Sequence, residues 1–161
     1  MTVRHYFLDT EFLDTGRRLE LISIGVVTLE GDSFYAENSE FDWDDPEVTD
    51  WLRRNVQPHL RGGAYRMEPG EIAWGLRRWV EGRPWFWSWF AAHDWVLVCN
   101  LFGGLMSLPS SWPSNCLDLE QFRATFNLTM IDRLAESEAH DALADARWHR
   151  AIFQAFREQL Q

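Results

Sequence analysis

Short apolar runs fill the first quarter of the chain, and later apolar residues recur every three or four positions. Val3 to Leu8 reads as a short strand. Leu19 to Leu29 (LELISIGVVTL) is a nearly continuous, β-branched apolar run, interrupted by Gly25 and closed by the turn signal Glu30-Gly31-Asp32. Ser33 to Glu40 reads as a third strand, and the short turns between the three predict an antiparallel meander.

Helical spacing begins further on. Pro46, in the acidic stretch Asp42 to Asp50, predicts a helix over Glu47 to Asn55 with proline in its first turn. Gln57 to Arg66 reads as loop. From Pro69, the positions Ile72, Leu76, Trp79 and Val80 mark one helical face, which Gly82 and Pro84 bring to an end. Trp85 to Ala92 predicts a fourth strand, with Trp85, Trp87 and Trp89 alternating along one face. A helix over His93 to Phe102, a Ser/Pro loop over Ser107 to Asn115, a short helix over Leu117 to Phe126 and a long helix over Asp141 to Leu160 complete the chain. Strands come first and then alternate with helices, which predicts a mixed α/β sheet flanked by helices. With no internal repeat, low-complexity tract or linker, residues 1–161 read as a single domain.

Composition narrows the function classes. At 161 residues and 46% hydrophobic, the chain can build a real core. It has no apolar run of about 18 residues, so no membrane span is expected. MTVRHYFLDTEF lacks the apolar region of a signal peptide. Cys99 and Cys116 lack CxxC spacing, which argues against a zinc cluster or disulfide framework and favours a reducing cytoplasm. The net charge of −10 speaks against a nucleic-acid binder. Two facts offset it. Bound cations reverse the field of the carboxylates that hold them, and every basic residue is arginine, which grips phosphate bidentately. Arg17–Arg18, Arg53–Arg54 and Arg77–Arg78 form either local positive patches or ordinary solvated charge.

Three segments carry candidate chemistry. In FLDTEF, strand alternation points Phe7, Asp9 and Glu11 to one face. Two carboxylates on a buried face are tolerable around a divalent cation; alternatively the strand ends before Asp9 and both acids meet water. In HDALADARWHRAIFQAF, Asp145, His149, Ile152 and Phe156 share a helix stripe, so Asp145 extends the face that packs on the sheet and calls for a partner there. His140, if it precedes the first helical turn, can reach the same place, while Asp141 in that turn favours the helix dipole. His149 reads as a packed or surface histidine. In AHDWVLVCNLFGG, Asp94 stands where strand gives way to helix and reads either as an N-cap or as a further acid of the same centre.

In order and spacing, Asp9-Thr10-Glu11, Asp94 and the His140-to-Asp145 motif are similar to the DEDDh 3′→5′ exonucleases of the RNase H-like superfamily. FLDTEF, LELISIGVV, AHDWVLVCNLFG and HDALADA resemble the branch of polyadenylate-preferring 3′ exoribonucleases of the RNase AS type. The resemblance spans about Phe7 to Phe153, whereas Trp43 to Arg83 carries no motif of it. It implies an RNase H-like mixed sheet. It also implies two Mg²⁺ or Mn²⁺ ions held by Asp9, Glu11, Asp94 and Asp145, with Glu11 also at the reacting centre and His140 as general base. The substrate would be a single-stranded RNA 3′ end, or DNA as the alternative, with Thr10 touching the terminal nucleotide and Phe12 or Leu13 wedged against its base; ordinary core packing is the alternative for both and the favoured one for Leu13. A homodimer is implied as well. A non-catalytic nucleic-acid-binding module on the same fold is the competing class, and the presence of all five motif residues speaks against it.

Overall fold

The computed structural model describes residues 2–132 and 138–161. A six-stranded sheet in the order β4-β3-β2-β1-β5-β6 forms its centre. Strands β1 (Val3–Asp14), β2 (Leu19–Thr28) and β3 (Ser33–Asn38) make the expected antiparallel meander. Strands β5 (Arg83–Ser88) and β6 (Leu117–Asp118) run parallel to β1 on one side, and β4 (Arg66–Met67) runs parallel to β3 on the other.

β1 is longer than its apolar stretch predicts, and it organises the molecule. Tyr6 and Leu8 point into a core completed by Ile72 and Leu76 of α2 (Pro69–Trp79) and Leu97 and Val98 of α3 (Ala92–Leu101). Phe7 points the other way, onto Ile152, Phe153 and Phe156 of α5 (Ala142–Gln159) and Leu119 of α4 (Leu119–Phe126). Leu13 packs with Ile22 and with Leu52 of α1 (Asp50–Asn55), in the core and not as a wedge in the cleft.

Several boundaries differ from expectation for local reasons. α1 begins at Asp50, capped by Thr49, because the Asp42 and Asp45 side chains accept from the Asp44 and Glu47 amides and hold the stretch around Pro46 in turns. Leu117 and Asp118 are not helical. They pair with Trp87 and Ser88, and Asp118 then caps α4 by accepting from the Gln121 amide. β5 starts at Arg83 and includes Pro84, tolerated where only β1 lies alongside. The segment expected as loop holds two single 3₁₀ turns, Gln57–His59 and Gly63–Tyr65, before β4.

Gly25 is the position at which α5 closes on the sheet. A Cβ there would stand 2.4 Å from the Ala142 carbonyl oxygen and 2.5 Å from Leu143 Cα. Gly25 is the β2 partner of Asp9, so the absence of a side chain at this one place lets the start of α5 lie directly beside the DxE strand.

Candidate active site

β1 overruns β5. The last β1 residue paired with β5 is Phe7, opposite Trp87, and beyond it Asp9 and Glu11 stand on the face covered by α5. A register shift between Glu11 and Phe12, where Ile22 is extra on β2, bends the strand at the site. Strand alternation brings Asp9 and Glu11 to the α5 face, and the helix stripe brings Asp145 to meet them. One oxygen from each of these three carboxylates lies within 4.8 Å of the others. No arginine pairs with any of them among the described residues.

Such a cluster holds its protons tightly. Burial, then the Asp94, Glu11 and Asp145 carboxylates, push Asp9 well above the usual carboxylate range. Burial, with Asp145 and Asp94 close by, pushes Glu11 up to about 8. Burial raises Asp145 to about 6, against the His140 amide that donates to its Oδ2 at 2.8 Å. Three carboxylates converging without a cationic side chain fit a hard divalent cation, whose charge makes the ionised set favourable.

Asp94 occupies a different place. It lies in the first turn of α3 and is not the N-cap, which is Ala91. Because β5 has ended, the Thr10 amide has no strand partner on that side, and it donates to Asp94 Oδ1 at 3.0 Å. The Thr10 and Ser88 hydroxyls donate to the same carboxylate. Asp94 is thus a buried acid behind Asp9, near enough to raise it, and outside the group of three. Burial raises it to about 6, opposed by those hydroxyl and amide donors. Thr10 lines the cleft, but its hydroxyl is turned to Asp94.

His140 precedes α5 and adopts φ 69°, a left-handed conformation unusual for a side chain with a Cβ. Its ring meets Trp51 edge-on at 4.7 Å between centroids. Burial, helped by His59, holds its pKa below the ordinary value, so the ring is neutral near pH 7. His149 is packed, as expected, and closer to the site than its spacing implied. It is 3% exposed, its Nδ1 donates to the Leu8 carbonyl at 2.8 Å, and its Nε2 faces Asp9 Oδ1 at 3.8 Å.

Asp9, Glu11, Asp145, His140 and His149, but not Asp94, line an open cleft of about 370 Å³ with Phe12, Trp51, Trp89 and Trp148. Phe12 stacks on His93 at 5.4 Å and 13°. Trp51 and Trp148 carried no signal of their own in a chain with ten tryptophans, and Trp89, expected on a strand face with Trp85 and Trp87, lies just past the end of β5 and lines the cleft instead. The arginine pairs do not gather at the acids. Arg18 is tied to Asp45, Glu20 and Glu47, Arg53 donates to the Trp43 carbonyl, and Arg78 lies over Trp74.

Comparison with known proteins adds three findings. Residues 4–156 match the model of the Rv2179c-like 3′-5′ exoribonuclease domain. The 3′-5′ exoribonuclease Rv2179c of Mycobacterium tuberculosis is 35% identical over 149 residues, covering 88% of this chain and 86% of that protein. The same fold occurs in the RNase domain of the yeast Pop2 protein (TM-score 0.67, 12% identity, 96% of this chain and 77% of that one). It occurs also in exonuclease I (TM-score 0.66, 14% identity, 99% of this chain and 42% of that one).

Proposed function

The chain belongs to the Rv2179c-like 3′-5′ exoribonuclease family, and from that premise we propose that it hydrolyses RNA from the 3′ end by metal-dependent chemistry of the DEDDh type, releasing nucleoside 5′-monophosphates. The observation that carries this is the convergence of Asp9, Glu11 and Asp145 within 4.8 Å, with His140 on the same cleft. Asp9, Glu11 and Asp145 would hold Mg²⁺ or Mn²⁺. Asp94 stands behind them as the fourth acid, since its Oδ2 accepts only the Ser88 hydroxyl and keeps a further lone pair, whereas its Oδ1 accepts both the amide and the hydroxyl of Thr10. Two such ions supply Lewis-acid charge that acidifies water and stabilises a leaving 3′-oxygen.

The chain's own residues do the rest. His140, neutral near pH 7, accepts the proton of the attacking water at its imidazole. The water oxygen bonds to phosphorus, the bond from phosphorus to the 3′-oxygen breaks, and that oxygen leaves as an alkoxide that takes a proton from solvent water to become the 3′-hydroxyl of the shortened RNA, while His140 returns its proton to solvent. His149 is held beside Asp9 by its Nδ1 bond to the Leu8 carbonyl and packs against the carboxylate without bonding to it. Trp51 and Phe12 line the cleft and offer aromatic faces for the terminal base. Thr10 serves the site by holding Asp94.

RNA as substrate is supported by the family; a preference for adenylate tails is our proposal from the motif segments alone. Two free thiols and the lack, among the described residues, of a helix long and apolar enough to cross a membrane accord with a cytoplasmic enzyme. Exposed Phe90, Val96, Leu105 and Met106 suit a homodimer, which sedimentation would detect. The test of function is incubation with 3′-labelled RNA and matched DNA in Mg²⁺ or Mn²⁺. Mononucleotide release from RNA, lost in Asp9→Ala and His140→Ala, is expected. No mononucleotide, or full activity in both variants, overturns the proposal. RNA bound without turnover would make the chain a binding module, and faster release from DNA would make DNA its substrate.

A further inference from the structure

His140 is held in a backbone conformation that a residue with a side chain adopts only under constraint. One constraint is local, the His140 amide on the Asp145 carboxylate. The next residue supplies another. Asp141 caps α5, accepting from the Leu143 and Ala144 amides. It also receives Arg61 Nη2 on both carboxylate oxygens, at 3.2 and 3.0 Å.

Arg61 comes from a segment the family motifs do not cover, and it is itself anchored. Its guanidinium lies 3.9 Å over the Tyr35 ring and 5.7 Å from that of Tyr65. The backbone of Arg61 and Gly62 is tied to the sheet as well. Glu37, 3% exposed, accepts both amides and the Tyr35 hydroxyl. Glu37 pairs with Ser23, and Ser23 pairs with Glu11. One row across β3, β2 and β1 therefore connects the anchor of the 60–62 segment to a carboxylate of the site.

Resting on the exonuclease proposal above, we infer that Arg61 is a positioning residue. It clamps Asp141, and through it the His140 turn, to the sheet row that ends at Glu11. Its side chain acts on the general base without touching substrate. A purely structural surface ion pair would alter stability and leave turnover alone; a phosphate contact would alter binding.

The test compares Arg61→Ala, Asp141→Asn and the double variant. Asparagine still caps the helix, so Asp141→Asn removes the charge and spares the cap. Two readouts are taken: steady-state kinetics on labelled RNA, and amide hydrogen exchange of residues 138–144 in metal-free protein. Each single variant is expected to lower kcat about tenfold, the size of one charge-assisted pair, with KM changed less than about twofold. The double variant is expected to be no worse than the worse single one. Exchange in residues 138–144 accelerates by a similar factor. A raised KM at unchanged kcat, multiplying effects in the double variant, or unchanged exchange overturns the inference. If the wild-type chain releases no nucleotide, the exonuclease proposal fails, and exchange still decides whether Arg61 holds the turn.

Discussion

Gly25→Ala probes the geometry that brings the site together. The added Cβ would stand 2.4 Å from the Ala142 oxygen, whereas ordinary contact begins at 3.4 Å, so the start of α5 must retreat by the difference, 1.0 Å. The atoms it would meet belong to the backbone, and no rotamer change relieves them. Overpacking of this kind costs about 1–3 kcal/mol, which for a domain of this size lowers Tm by roughly 2–12 °C. The functional effect is larger than the stability effect. Asp145 and His140 both depend on where α5 starts, and a displacement of about 1 Å costs about 100-fold in rate. Gly75→Ala in α2 is the control, since its new Cβ meets only the Phe34 ring, at 3.1 Å. It should leave kcat unchanged and Tm within a few degrees. Thermal unfolding and initial rates on labelled RNA measure both. Wild-type kcat and Tm in Gly25→Ala would refute the idea that close approach of α5 at Gly25 builds the site.

Three further outcomes are expected. Glu11, raised by burial to about 8, binds a proton in the folded state that the unfolded chain has lost, so this stability is present at low pH and disappears as pH rises through about 8. Between about pH 7 and 8.5, where the lowered histidines His140 and His149 are already neutral, stability in chelator should fall with pH, and Mn²⁺ should reverse the fall because it binds the ionised acids; denaturant melts that rise with pH in chelator would contradict this. Thr10→Val and Ser88→Ala each remove a donor that lowers the Asp94 pKa, so the pH at which activity sets in should move upward, and an unmoved pH–rate profile would sink the role given to Asp94. Trp51→Ala should raise KM for RNA about tenfold with little loss of stability, since Trp51 is 48% exposed and stacking on one base contributes about 1–3 kcal/mol; an unchanged KM would remove it from the substrate path.

The parts of the fold written as period and punctuation were legible in the sequence. The meander, the α2 stripe and the long C-terminal helix follow from apolar spacing, and Asp145 on a stripe meant for the core pointed at the sheet. Asp9 and Glu11 were legible once Phe7 set the face. What escaped depends on contacts far apart in sequence. β4 is two residues long and exists because Glu37 and Asn38 lie alongside it. β6 hides at the head of a helical pattern. Asp94 is positioned by the unpaired Thr10 amide, and that amide is free only because β5 stops at Ser88. Gly25 read as an interruption of a strand, whereas it is the contact point of a helix more than a hundred residues later. Arg61 had no motif, and its partner Asp141 read as a first-turn acid favouring the helix dipole, whereas it is the N-cap of α5.

The most direct test of the metal centre is a crystal soaked with Mn²⁺ and a nucleoside 5′-monophosphate, with anomalous data collected at the manganese edge. Anomalous peaks bounded by Asp9, Glu11 and Asp145, with Asp94 turned toward one of them and the nucleotide phosphate on the His140 side, are predicted. Peaks elsewhere, or an ordered nucleotide in the cleft without manganese among these acids, would contradict the assignment.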